Sequence, residues 1–130
     1  MNQHEPGAKL DAGKTRMSLV LKDMPNAIKA VADVGTYGAK KYTDRGWMEV
    51  HDAKERYTDA LYRHMSEMHR GEHVDSESGL PHVAHAAWNA LALLELDYIG
   101  EIQATKSESF TINDSYFEFP DHDHDYREEK

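Results

Sequence analysis

Nineteen consecutive residues, Gly71 to Asn89, read GEHVDSESGLPHVAHAAWN and set three acids and three histidines against the start of an apolar run. From Val83 the run VAHAAWNALALLEL is apolar on nearly every side. That pattern predicts a buried helix, and polar groups on a buried helix need partners. His82, His85 and Asn89 are those groups; at 100° per residue they fall within about 60° of one another on the first two turns. Asp75 and Glu77 lie in the segment leading into that helix end. Carboxylate oxygens suit Mg²⁺ or Mn²⁺, imidazole suits softer divalent ions, and a hard cation held by carboxylates is a common partner of phosphate substrates. The plainer alternative is that Asp75, Glu77 and Ser78 cap a helix while the histidines bond to backbone carbonyls. As a cluster, the residues point to a metal-dependent site.

Two basic segments are candidates for the anion such a metal would accompany. In LDAGKTR, Lys9, Asp11, Lys14 and Arg16 alternate with small residues, giving a glycine-containing loop whose cations can close over a triphosphate. In KKYTDRGW, Lys40 and Lys41 offer phosphate ligands and Trp47 a ring on which a base can stack. Three look-alikes fall away. GAKLDAGKT has five residues between its glycines where the P-loop has four. His51 and Asp52 form the dipeptide of HD-type phosphohydrolases, but only His4 precedes them, and Asp52 serves better as a helix cap. His122 and His124 sit in an acidic tail that cannot hold ligands to catalytic tolerance.

The elements that must position these groups are three helices. The first starts at Pro25, a residue suited to a first turn, and presents Ile28, Val31, Ala32 and Gly35 on one face; Gly35 and Gly38 either stop it or admit a close neighbour. The second starts after Asp52, with Glu55 completing a capping box, and ends at Gly71. Its apolar stripe is Tyr57, Leu61, Met65 and Met68, with His64 projecting from the middle of the stripe. Arg56, Asp59, Arg63, Glu67 and Arg70 share the other side at salt-bridge spacing, the pattern of a solvated face. The third helix runs from about Pro81 to Ile99. Antiparallel packing of the last two brings their join, with Glu67, Glu72, Asp75 and Glu77, to the site end. This is an all-α small bundle: residues 1–119 form one domain, and 120–130 a mobile acidic tail.

Composition bounds the function. The chain has 130 residues, 39% hydrophobic and 30% charged, with no cysteine, so thiolate metal sites, disulfides and cysteine nucleophiles are excluded. No apolar stretch reaches the length of a membrane span, and a soluble, cytoplasmic protein is expected. Net charge is −9, divided as +1 over residues 1–55, −7 over 56–120 and −3 over the last ten. An acidic middle repels polyanions, which argues against nucleic acid and for a small phosphorylated ligand bridged by a divalent ion.

The series GAKLDAGKTR, VGTYGAKKYTDRGW, RYTDALYRH and GEHVDSESGLPHVAHAAWN, over roughly residues 7 to 97, resembles the phage dATP/dGTP diphosphohydrolases, the MazZ-like branch of the MazG-like all-α nucleotide pyrophosphohydrolases. The resemblance implies hydrolysis of a purine deoxynucleoside triphosphate, dGTP or GTP for preference, to the monophosphate and pyrophosphate with Mg²⁺ or Mn²⁺. In phages with 2-aminoadenine DNA it implies supply of dGMP. MazG-like enzymes usually carry Glu-x-x-Glu on one helix and Glu-x-x-Asp on the next; this chain has Glu72-x-x-Asp75 and His82-x-x-His85 instead. Carried over by motif, Asp75, Glu77 and His85 are the expected metal ligands.

In that reading Glu72 or Glu67 orients or deprotonates the attacking water. Lys9, Lys14, Arg16, Lys40, Lys41 and Arg63 bind phosphates, Asp11 belongs to the same substrate loop, and Trp47 and Asn89 contact the base. A chain this small makes a shallow cleft, so a homodimer or homotetramer completing the pocket is expected. The alternatives are a catalytically silent nucleotide-binding or sensing protein, and a helical interaction module that dimerises through its SLVL, Ile28/Val31 and Leu91/Leu94 surfaces.

Overall fold

The computed structural model describes residues 2–107, with the side chains of 2–101; the tail expected from residue 120 lies outside the described residues. Within them the chain is all-α. A single turn, α1 (Ser18–Leu21), leads into α2 (Pro25–Lys41), a 3₁₀ turn (Gly46–Glu49), α3 (Ala53–His69) and α4 (His82–Ser107). Proline opens α2, where its missing N–H costs nothing, and Lys40 and Lys41 close it against the negative end of the helix dipole. Neither glycine stops α2. Gly35 instead admits the Trp88 indole, whose Nε1 would stand 3.3 Å from a Cβ at that position. The packed face also differs from expectation: Val34 is buried while Ala32 is exposed, because Trp88 draws the 34–35 edge inward.

The capping box expected at α3 is not formed. Asp52 sits in the left-handed region at φ 52° with no side-chain cap bond, and its backbone carbonyl instead accepts the Arg56 N–H. The other end follows sequence logic. Gly71, at φ 103°, lets the chain turn back while Gly71 N–H donates to Met68 O and Glu72 N–H to Glu67 O, closing the last carbonyls.

The join between α3 and α4 is a tight loop pinned by the antiparallel bridge of Val74 with Pro81 and by the His82 N–H to His73 O bond of 2.9 Å. The two helices are antiparallel: Lys54 pairs with Asp97 at 2.6 Å at one end, and His64 meets His82 at the other. Helix α2 runs against α4 in the same opposed sense, with Gly35 at Trp88, Tyr37 at His85 and Lys41 at Glu77.

Helix α4 extends to Ser107, past the expected end near Ile99. It is the central helix, but it is not buried on every side. Ala84, Ala86 and Ala92 are buried, whereas Val83, Leu91 and Leu94 are more than half exposed. Two neighbouring helices can cover only part of a cylinder, so an all-round apolar helix in this small bundle keeps an open face. The covered face is small-residue and polar: His82, His85 and Asn89 are buried among the alanines.

Candidate active site

The three buried polar groups of α4 find partners by different routes. Asn89 donates from Nδ2 to the His85 carbonyl one turn back, at 2.8 Å. His85 Nε2 is 2.7 Å from Ser78 Oγ, and its ring lies flat on that of His64, 4.3 Å between centroids and 6° between planes. His82 Nδ1 stands 2.9 Å from His64 Nδ1. One of those two nitrogens must therefore donate and the other accept. His82 Nε2 is buried without a hydrogen bond; Glu72 Oε1 is 3.4 Å away but not aligned to accept one.

The loop supplies the acids. Asp75 accepts the Ser78 N–H on Oδ2 and the Gly79 N–H on its own carbonyl, a local turn that needs Gly79 at φ 73°. Burial pushes the Asp75 carboxyl up, but hydrogen bonds from Ser78 and the nearby imidazoles outweigh it and hold the group below its ordinary value. Burial, then the neighbouring His85 and His82, lowers His64 to about 4. Burial also lowers His85, against the pull of Asp75. Ligand atoms of His64, Asp75 and His82 all lie within 4.8 Å of one another, the set among the described residues that could hold a metal ion.

This cluster lines a cavity of about 890 Å³ between α2, α3 and α4. Across from the imidazoles, Glu77 accepts the Tyr37 hydroxyl at 2.8 Å and the Lys41 ammonium. The Lys41 bond, then the Tyr37 bond, lowers the Glu77 carboxyl, and the same contact raises Lys41. Two turns along α3 the wall becomes aromatic. The Trp88 ring is met edge-on by Trp47 at 5.8 Å and by Tyr57 at 5.7 Å, and the Tyr57 hydroxyl donates to the Trp47 carbonyl at 2.7 Å. Arg45, Arg56 and Arg63 join Lys41 along the lining.

The expected site residues thus divide. Asp75 and His85 face each other, Oδ2 to Nε2 at 3.7 Å, while Glu77 is taken up by Tyr37 and Lys41. Lys41, Trp47, Arg63, Glu67 and Asn89 line the cavity, Glu67 paired with Arg70 at 3.1 Å. Lys9, Asp11, Lys14, Arg16 and Lys40 are exposed and outside that lining, as is Glu72. Sequence reasoning overlooked Tyr37, Arg56, Tyr57 and Trp88. Arg56, seven residues before the expected phosphate ligand Arg63, read only as part of a solvated strip, because charge spacing alone does not say which edge of a helix overhangs a cavity.

Residues 4–106 match the model of a family described as dATP/dGTP diphosphohydrolase, N-terminal. Over 81 residues the chain is 38% identical to a dATP/dGTP diphosphohydrolase of Salmonella phage PMBT28, an alignment covering 62% of this chain and 26% of that protein. The chain thus spans about a quarter of the length of the curated relative it matches. No solved structure matches it.

Proposed function

The chain belongs to the dATP/dGTP diphosphohydrolase family, and from that membership we propose that it hydrolyses a purine deoxynucleoside triphosphate, dGTP for preference, to the monophosphate and pyrophosphate. One observation carries the reading. A single cavity joins an imidazole and carboxylate cluster to an aromatic wall, with four cations on its lining. His64 and Tyr57 are seven residues apart on α3, about 10 Å along its axis, so phosphates at the first end would leave the base at the second.

The divalent ion of the family reading, Mg²⁺ or Mn²⁺, would be held at the imidazole end, where two imidazole nitrogens and a carboxylate converge, a donor set that favours Mn²⁺ of the two. When bound, it supplies Lewis acidity to the phosphate oxygens. The chain's own groups do the rest. Lys41, Arg45, Arg56 and Arg63 neutralise phosphate charge, with Lys41 held in place by Glu77. Water attacks the α-phosphorus in line, the bond from that phosphorus to the bridging oxygen breaks, and pyrophosphate leaves with the electron pair. Glu67, on the cavity wall, takes the proton from the water; Glu72, the other acid expected in that role, stands outside the lining. Trp47 and Trp88 flank the base. Asn89 contributes an amide oxygen, its Nδ2 being committed to His85.

The open face of α4 at Val83, Leu91 and Leu94 favours an oligomer that covers it, a dimer or tetramer. Residues 1–119 act as one nucleotide-hydrolysing domain, and in a phage whose DNA carries 2-aminoadenine the reaction would supply dGMP. A second reading is a nucleotide-binding module without turnover, favoured by the cations and the aromatic wall of the cavity, which would hold a nucleotide equally well in a silent binder. Ion-exchange analysis of products from a panel of ribo- and deoxynucleoside triphosphates, with Mg²⁺, Mn²⁺ or EDTA, separates the two. Metal-dependent monophosphate and pyrophosphate, lost in Asp75→Asn, is the expected result. Diphosphate plus phosphate, or tripolyphosphate, would refute the reaction; binding without turnover would establish the silent module.

A further inference from the structure

We propose that His64, His82 and Asp75 form a site selective for a borderline transition ion such as Mn²⁺, Co²⁺ or Zn²⁺ over Mg²⁺, with Glu72 as the outer carboxylate that positions His82. The proposal takes up the divalent ion of the diphosphohydrolase reading and assigns its class and its ligands.

Four observations converge. The Nδ1 atoms of His64 and His82 are 2.9 Å apart. Two adjacent ligands of an octahedral ion, each about 2.1 Å from the metal, stand about 3.0 Å apart, so both nitrogens can turn their lone pairs to one ion with little movement. Asp75 brings an oxygen into the same 4.8 Å group. The His64 ring is held by its flat contact with His85 and cannot swing away freely. Finally, His82 is 3% exposed, and its Nε2 is buried without a hydrogen bond, 3.4 Å from Glu72 Oε1. Ligation through Nδ1 puts the ring proton on Nε2, where a small turn of the Glu72 side chain, which is 43% exposed, gives it an acceptor. A metal-ligating histidine whose far N–H meets a carboxylate is a recurrent arrangement, and it gives the orphaned nitrogen a role.

The donor set decides the ion's class. Mg²⁺ demands oxygen ligands and keeps most of its waters, whereas imidazole favours Mn²⁺, Co²⁺ and Zn²⁺ in rising order of affinity. Two nitrogens out of three protein ligands are a poor offer to Mg²⁺.

Isothermal titration calorimetry with MnCl₂, ZnCl₂ and MgCl₂, in the absence of nucleotide, tests this on the full chain. A long-range proton–nitrogen NMR spectrum of the imidazoles with Zn²⁺ accompanies it. The expected result is one Mn²⁺ or Zn²⁺ per chain, bound at least tenfold tighter than Mg²⁺, with the His64 and His82 Nδ1 signals moving to the metal-bound range. His64→Ala and Asp75→Asn, verified as folded by circular dichroism, should lose the binding. Glu72→Gln, at an exposed position, should weaken it by about ten- to a hundred-fold. Equal or tighter Mg²⁺ binding overturns the proposal. So does binding unchanged in the folded His64→Ala and Asp75→Asn variants, which places the ion elsewhere. Turnover is not read here, so a failed diphosphohydrolase assay would leave these results standing, and lost metal binding would not by itself refute nucleotide hydrolysis.

Discussion

The hydroxyl of Tyr57 ties α3 to the 3₁₀ turn that carries Trp47, and replacing it with phenylalanine isolates that tie. The ring is kept, so its edge contact with Trp88 at 5.7 Å survives, and only the 2.7 Å bond to the Trp47 carbonyl is lost. A partly buried hydrogen bond of this kind contributes about 1 kcal/mol net, within a range of roughly 0.5 to 1.5. With a urea m-value of about 1.5 kcal/mol/M, the midpoint should fall by about 0.7 M at unchanged slope. The chain's two tryptophans, Trp47 and Trp88, both belong to this cluster, so intrinsic fluorescence reports it directly. Tyr62, 65% exposed on the same helix, provides the control. Tyr62→Phe should leave the midpoint within about 0.3 M, since surface substitutions lie within about 0.5 kcal/mol. A Tyr57→Phe midpoint indistinguishable from wild type, or an equal loss in Tyr62→Phe, would refute the claim that this bond anchors Trp47 over the cavity.

Three further outcomes are expected. Metal-free protein should lose stability as pH falls from 6.5 towards 4: unfolded histidine takes up its proton near 6.5, whereas His64 in the fold does so only near 4, and His85 is shifted the same way. Discounted for partial exposure, His64 alone gives about 1 kcal/mol between pH 7 and 5.5, and urea midpoints that do not fall over that interval would contradict it. Gly79→Ala should cost about 1 to 2 kcal/mol by thermal unfolding, because φ is 73° there while nothing lies within 4 Å of the added Cβ, so the cost is backbone strain rather than a clash. Glu77→Gln should leave the melting temperature nearly unchanged, since its partners are exposed, but raise KM for the triphosphate by freeing Lys41; an unaltered KM would remove Glu77 from phosphate binding.

Much of the fold was legible in the sequence because helix signals are local. Pro25 and Gly71 mark ends by their own backbone preferences, and the 3.6-residue spacing of Tyr57, Leu61, Met65 and Met68 identifies the packed stripe of α3. Asp52 misled because a residue type that often caps can equally occupy a left-handed turn, and only the direction of the incoming chain separates the two. The open face of α4 could not be read either, since apolar residues on all sides say how much surface wants cover and not how many neighbours exist to cover it.

For the site, the sequence by itself brought Asp75, His82, His85 and Asn89 together, because a tight loop and two helical turns leave them nowhere else to go. It could not bring His64 into that group or separate Glu77 from it. Those outcomes depend on the antiparallel register of α3 against α4 and on the approach of Tyr37 and Lys41 from α2. Register between helices is fixed by packing of side chains far apart in the chain, here Trp88 against Gly35, Trp47 and Tyr57. Periodicity along one helix carries no information about it, which is why the imidazole pair and the aromatic wall were decided by tertiary structure alone.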